Sequence, residues 1–173
     1  MASTKTESLI LEVKDLRTYF DTPEGTAKAV NGISFKIMKG ETFALVGESG
    51  CGKSVTALSI IQLIPEPQGR NAGGEILLQG QDIIPLTERE KRGLRGNKIS
   101  MIFQEPMTAL NPVLTIGDQI TEAIILHQSK NYANAKTIAI EMLNRVRLPL
   151  PEKIFDDYPH SLSGGQRQRV MIA

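Results

Sequence analysis

The sequence predicts an α/β fold in two parts: an α/β core over residues 1–105, with a β-rich N-terminal stretch, and an all-helical part over 106–173. Three observations predict it. The apolar run Thr42-Phe43-Ala44-Leu45-Val46 leads directly into a glycine-rich loop and then into an amphipathic helical stretch. Strand-like patterns occur only before Pro106. Beyond Pro106 apolar residues recur at helical intervals and no strand pattern returns.

Composition bounds the reading. A chain of 173 residues is about one domain with an appended subdomain, long enough to bury its own core. With 40% hydrophobic and 23% charged residues it is a globular mixture rather than a disordered one. The single Cys51 excludes an internal disulfide and a four-thiolate metal site, and fits a reducing compartment. A net charge of +1, from 20 basic and 19 acidic residues, carries no footprint of general nucleic-acid binding. Glu12, Lys14 and Asp15 interrupt the start before any signal-like apolar stretch, and no run approaches the roughly 20 apolar residues that cross a bilayer. A soluble or membrane-peripheral cytosolic protein is expected.

The elements follow in order. Leu9 to Val13 reads as a short strand that Leu16 to Phe20 extends, before a turn marked by Pro23 and Gly25. Ile33, Phe35 and Ile37 alternate with Ser34 and Lys36, the pattern of a half-buried strand. The uninterrupted Thr42–Val46 run suits a strand covered on both faces, as in a parallel sheet. Lys53 to Ile64 reads as a helix with Val55, Leu58, Ile61 and Leu63 inward, stopped by Pro65 and Pro67. Glu75–Leu78 and Ile99–Phe103 are further strand candidates around a polar helix over Thr87–Arg95. In the second part, Ile116, Ile120, Ala123, Ile124 and His127 mark one helix; Ala135, Ile138, Ala139, Met142, Leu143 and Val146 mark another. Leu148 to Pro151 reads as a linker, and a last helix begins near Ser163.

Gly47-Glu48-Ser49-Gly50-Cys51-Gly52-Lys53-Ser54 fits G-x-x-x-x-G-K-[ST] at every fixed position. Glycines let the backbone fold tightly, so that successive N–H groups point at phosphate oxygens. The helix that follows adds its positive dipole end to the same anion site. Lys53 is placed to reach the β- and γ-phosphates, and the Ser54 hydroxyl to complete a Mg²⁺ shell. The loop indicates a nucleoside triphosphate without choosing among kinase, GTPase and transport ATPase.

Leu162-Ser163-Gly164-Gly165-Gln166 narrows that choice. Ser163 is a good N-cap, and the two glycines leave backbone N–H groups open to an anion. The stretch resembles the signature motif of ATP-binding-cassette (ABC) ATPases, and Ile102-Phe103-Gln104-Glu105-Pro106 resembles their Q-loop. The run from Met101 to Pro112, together with Tyr158-Pro159-His160, is similar to the ATPase subunits of dipeptide, oligopeptide and nickel importers.

The resemblance spans about Leu9 to Ala173 and implies a P-loop NTPase core with a mixed, partly parallel sheet, an antiparallel N-terminal β part and a helical subdomain. It implies that Phe20, or its neighbour Tyr19, stacks on adenine. Gly47, Glu48, Ser49, Gly50, Cys51, Gly52, Lys53 and Ser54 would hold the ATP phosphates, and Ser54 with Gln104 the Mg²⁺. Gln104 would also reach the attacking water. Ser163, Gly164, Gly165 and Gln166 would meet the ATP held by a partner. That partner is a second ABC ATPase domain; transmembrane permease subunits and, indirectly, a solute-binding protein complete the assembly at the cytoplasmic face of the inner membrane. The expected function is ATP-driven uptake of peptides or related solutes. The alternative is a nucleotide-binding regulatory or non-transport ABC protein without hydrolysis of its own.

The family pattern also includes an aspartate at the end of an apolar strand, a catalytic glutamate and a switch histidine after the signature. Neither His127 nor His160 has that position, and Asp156 and Asp157 follow a lone Phe155 instead of an apolar strand. The chain is therefore expected to be a fragment truncated before the aspartate strand, aggregation-prone or only partly folded, and with negligible ATPase activity alone.

Overall fold

A computed structural model describes residues 8–103, 109–128 and 130–173. It divides into two compact units, one running to Arg95 and the other from Gly96 to Ala173.

The first unit is built on a four-stranded antiparallel sheet in the order β2-β1-β3-β4. Strand β1 (Leu9–Thr22) and β2 (Gly25–Met38) form a long hairpin whose ends pair Thr22 with Gly25. The two strand segments legible at Leu9–Val13 and Leu16–Phe20 are one strand broken by a bulge. Asp15 there takes a φ of 45°, and the inward face shifts from Leu11 and Val13 to Leu16 and Thr18. Both neighbours make room for it: on β2, Gly32 has a φ of +83°, and a Cβ on it would lie 2.9 Å from Asp15 Oδ1. In β3 (Gly69–Leu78), Gly74 has a φ of +92°, and a Cβ on it would lie 2.4 Å from the Asp15 carbonyl oxygen. Only glycine fits that approach.

Helix α1 (Lys53–Ile60) precedes β3, and β4 (Gln81–Asp82) and α2 (Glu88–Leu94) complete the unit. A reciprocal capping box between Thr87 and Glu90 opens α2. That bonding, first from the Thr87 hydroxyl and then its backbone N–H, holds the Glu90 carboxyl below its ordinary range. On α1 the most buried positions are the small polar Thr56 and Ser59, while Leu63, expected inward, is exposed.

Ser59 Oγ donates to the Val55 carbonyl at 2.7 Å and lies 2.7 Å from Thr18 Oγ1 on β1. Having one proton, Ser59 must accept from Thr18. Ser59→Ala would strand the buried Thr18 proton and is expected to cost about 1–3 kcal/mol, against about 1 kcal/mol for Thr18→Val. The double variant, with no orphan donor, should recover part of the loss in denaturant melts. Equal single costs that simply add would contradict this assignment of the proton.

Two expected strands do not form. Residues 42–46 have no ladder partner and all are exposed, Val46 to 86%. Only Phe43 finds a ring, stacking on Phe35 with centroids 4.9 Å apart. Ile99 contributes a single bridge, and Ile102 and Phe103 are exposed. An apolar run supplies burial potential but not a pairing partner. Hairpins find theirs next in the chain, whereas parallel pairing needs a strand brought back by a crossover. Every strand pair among the described residues is antiparallel.

The second unit is helical: α3 (Ile116–Gln128), α4 (Tyr132–Arg145), α5 (Pro151–Asp156), a 3₁₀ turn over Pro159–Ser161 and α6 (Gly164–Ile172). Its core gathers Ile116, Ile124, Ala135, Ala139, Leu143, Leu148, Phe155 and Val170 among others. The α4 stripe falls where periodicity puts it. On α3 the buried face is Ile116, Gly117, Thr121 and Ile124, and Ala123 is exposed. Gly117 is buried because the Phe155 ring occupies the space of its missing Cβ. The stretch expected as a linker is structural instead. Leu148 is a core residue, and Pro151 is the first residue of α5, where a ring-fixed φ suits a helix start.

Candidate functional site

The glycine-rich loop joins the 42–46 segment to α1, and its geometry follows from two glycines. Gly50 and Gly52 take φ values of +83° and +93°. A Cβ on Gly52 would lie 2.4 Å from the Ala29 carbonyl oxygen, so the loop rests directly against the backbone of β2. Gly52 is also the N-cap of α1 and contributes no side-chain cap, and the first turn carries no acidic residue. The N–H groups at this end are thus left for an outside acceptor, at the positive end of the helix dipole.

Lys53 folds back over the loop. Its ammonium donates to the carbonyls of Gly47 at 2.8 Å and Glu48 at 2.5 Å, and lies 3.6 Å from Cys51 Sγ. The Glu48 carbonyl also accepts from the Cys51 N–H at 3.4 Å. A positive group is therefore held at the centre of a ring of backbone, with Gly47, Glu48, Cys51, Gly52 and Lys53 brought together. Ser49, Cys51 and Ser54 are exposed, and the Ser54 hydroxyl has no hydrogen-bond partner among the described residues. Thr56, which sequence reasoning did not single out, closes the back of the loop: its hydroxyl and its N–H both bond the Gly52 carbonyl, at 2.9 and 2.8 Å. A threonine one turn into a helix has no motif signature of its own.

Phe20 pairs with Ala27 on β2 and Gly69 on β3, and its ring fills the space a Gly69 Cβ would take, beside Ile64. Ala27 is two residues from Ala29, against which Gly52 rests. Tyr19 instead donates its hydroxyl to Asn31 Oδ1 at 2.9 Å, with Lys28 and Arg70 over its ring.

In the second unit Ser163 caps α6. Its Oγ accepts from the Gln166 N–H at 3.3 Å, and Gln166 Oε1 accepts from the Ser163 N–H at 2.8 Å. Leu162 and Val170 anchor the element in the core. Between them, a Cβ on Gly164 or Gly165 would meet nothing within 4 Å. Nothing in the chain's own packing asks for glycine at either position, and glycine in a helix costs about 0.5–1 kcal/mol relative to alanine. Gln104 lies outside the described residues.

The family model described as ABC transporter matches residues 30–173. The probable peptide ABC transporter ATP-binding protein y4tR of Sinorhizobium fredii is 48% identical over 173 residues, covering 100% of this chain and 52% of that protein. The oligopeptide transport ATP-binding protein OppD of Bacillus subtilis is 51% identical over 164 residues, 95% of this chain and 46% of the relative. The chain thus spans about half the length of the curated relatives it matches. Among solved structures, the ATP-binding cassette MJ0796, in a dimeric post-hydrolysis state bound to ADP and Pi, superposes with a TM-score of 0.82 at 26% identity. That match covers 94% of this chain and 67% of the cassette, and it shows the α/β P-loop NTPase fold of such cassettes. With a family match over residues 30–173 and relatives about half identical across nearly the whole chain, the chain belongs to the ABC transporter family.

Proposed function

We propose that this chain binds ATP as the nucleotide-binding part of a peptide importer. The observation that carries the reading is the Lys53 ammonium held inside a glycine loop at the uncapped N-terminus of α1. The relatives named for peptide and oligopeptide transport support the cargo class. In this reading Gly47 to Ser54 cradle the phosphates, Lys53 reaches the β- and γ-phosphates, and Phe20 stacks on adenine.

Mg²⁺ would neutralise phosphate charge when bound. The residues present fit that role: Ser54 offers an exposed hydroxyl beside the loop, and no cluster of three or more His, Cys, Asp or Glu among the described residues forms a separate metal cage. Such an ion is held by one or two protein oxygens plus the substrate phosphates, and Gln104 is proposed as the second protein ligand.

The partners proposed are a second ATPase domain facing the signature helix, permease subunits and a solute-binding protein, with the assembly at the cytoplasmic membrane face. No helix among the described residues is long and apolar enough to cross a membrane. The open space over Gly164 and Gly165 is where the partner's nucleotide would approach. Gly165→Ala should therefore leave stability unchanged or raise it by up to about 1 kcal/mol, yet prevent the ATP-dependent dimerisation expected of the parent, with analytical ultracentrifugation as the measurement. Retention of that dimer would count against the signature contact.

Cys51 provides the test of the nucleotide site. It is exposed within the loop, so a maleimide adduct should block a fluorescent ATP analogue, and Mg-ATP should slow labelling. Complete labelling with unchanged nucleotide affinity would refute the phosphate cradle.

A further inference from the structure

Helix α1 has only eight residues, and a helix this short is marginal by itself. Its N-terminus lacks a side-chain cap, so its position depends on what holds the rest of it. At the C-terminus, Leu63 N–H bonds the Leu58 carbonyl at 2.9 Å and Gln62 N–H bonds Ser59 at 3.1 Å, with Gln62 at a φ of 57°. This is a Schellman closure. It leaves the carbonyls of Ile61 and Gln62 pointing beyond the helix.

Both are taken by one residue. Arg95 Nε donates to the Ile61 carbonyl at 2.9 Å, and Nη2 donates to the Gln62 carbonyl. Its Nη1 pairs with Glu88 Oε2 at 3.2 Å. The backbone N–H of Arg95 meanwhile donates to the Lys91 carbonyl at 3.0 Å and closes α2. One side chain thus terminates α1 while the same residue's backbone terminates α2. The cation sits at the negative end of the α1 dipole, where it is favoured. Only a planar fork reaches two adjacent carbonyls and a carboxylate together. The Arg95 hydrogen bond is also the main reason that the Glu88 carboxyl titrates below its ordinary range. The chain leaves the first unit at this residue, and Gly96, with a φ of +77°, begins the second.

We infer that Arg95 is a positioning residue for the phosphate site: its guanidinium clamps the far end of α1 to α2 and so sets where the near end presents Gly52, Lys53 and Ser54. It touches no nucleotide in this arrangement, and the inference rests on the proposed ATP-binding reading.

The test compares Arg95→Ala, Arg95→Lys and Lys53→Ala in titrations with a fluorescent ATP analogue and, by competition, with AMP, alongside denaturant melts. Losing two hydrogen bonds from a charged donor should weaken triphosphate binding about 10-fold or more in Arg95→Ala. AMP, which makes no β- or γ-phosphate contacts, should be affected much less. Arg95→Lys, able to meet one carbonyl, should fall between, and millimolar guanidinium should restore much of the Arg95→Ala loss. If Lys53→Ala loses binding while both Arg95 variants bind like the parent, the Arg95 role is overturned and the site reading stands. Equal losses for ATP and AMP in Arg95→Lys, matching its unfolded fraction, would also overturn it as mere destabilisation. If Lys53→Ala binds as well as the parent, the phosphate-site reading itself fails.

Discussion

Lys53→Ala is expected to weaken binding of a fluorescent ATP analogue by about 30-fold or more, since losing a charged hydrogen-bond donor at the phosphates costs on the order of 2 kcal/mol or more. Two effects combine. The substitution removes the positive charge, and it removes the ammonium that ties the Gly47 and Glu48 carbonyls across the loop. The fold should survive, because Lys53 contributes to no buried cluster and α1 is anchored through Ser59 and Thr56. A cooperative melt near that of the parent, together with lost nucleotide affinity, is the expected pair of results. Equal affinity in variant and parent would remove the basis for assigning the loop.

Phe155→Ala should give the largest loss of stability, about 3–5 kcal/mol, the range for deleting a buried aromatic ring. The ring is 2% exposed, it fills the space beside the Gly117 backbone, and it carries the Lys136 ammonium 4.7 Å from its centroid. Such a loss is a large share of a domain's margin of about 5–15 kcal/mol. Circular dichroism during denaturation should show the helical signal lost at much lower denaturant, with Phe155→Leu intermediate because it leaves a smaller void. A cost below about 1 kcal/mol would mean that α3 and α5 close over the vacated space, contrary to the expectation that the ring beside Gly117 leaves a void.

The two motifs were legible before any coordinates because each is written in consecutive residues. Gly47 to Ser54 needs backbone conformations that glycine alone adopts freely, and Ser163 with Gln166 caps a helix through a three-residue spacing. The α4 stripe was legible for the same reason, since period and burial coincide within one helix. Local chemistry also announced the hairpin, though not the bulge that joins its two segments. Asp15 bulges because Gly74, 59 residues away in sequence, leaves room for its backbone.

The remaining decisions belong to distant partners. Thr42–Val46 has the composition of a buried strand and stands unpaired, because hydrogen-bond ladders require a neighbour that composition cannot supply. Hydrophobic periodicity points inward at Val55, Leu58, Ile61 and Leu63; of these Ile61 is buried, and Ser59 and Thr56 are buried with it because Thr18 and the Gly52 carbonyl satisfy their hydroxyls. Leu148 is core instead of linker because the Schellman closure of α4 turns it back, its N–H bonding the Leu143 carbonyl at 3.2 Å. Arg95 reads in sequence as one more charge at a helix end, and only the folded chain puts its guanidinium on the last carbonyls of the phosphate-loop helix. Spacing along the chain encodes what neighbours can do to one another; which hydroxyl, carbonyl or glycine stands opposite is decided when distant segments pack.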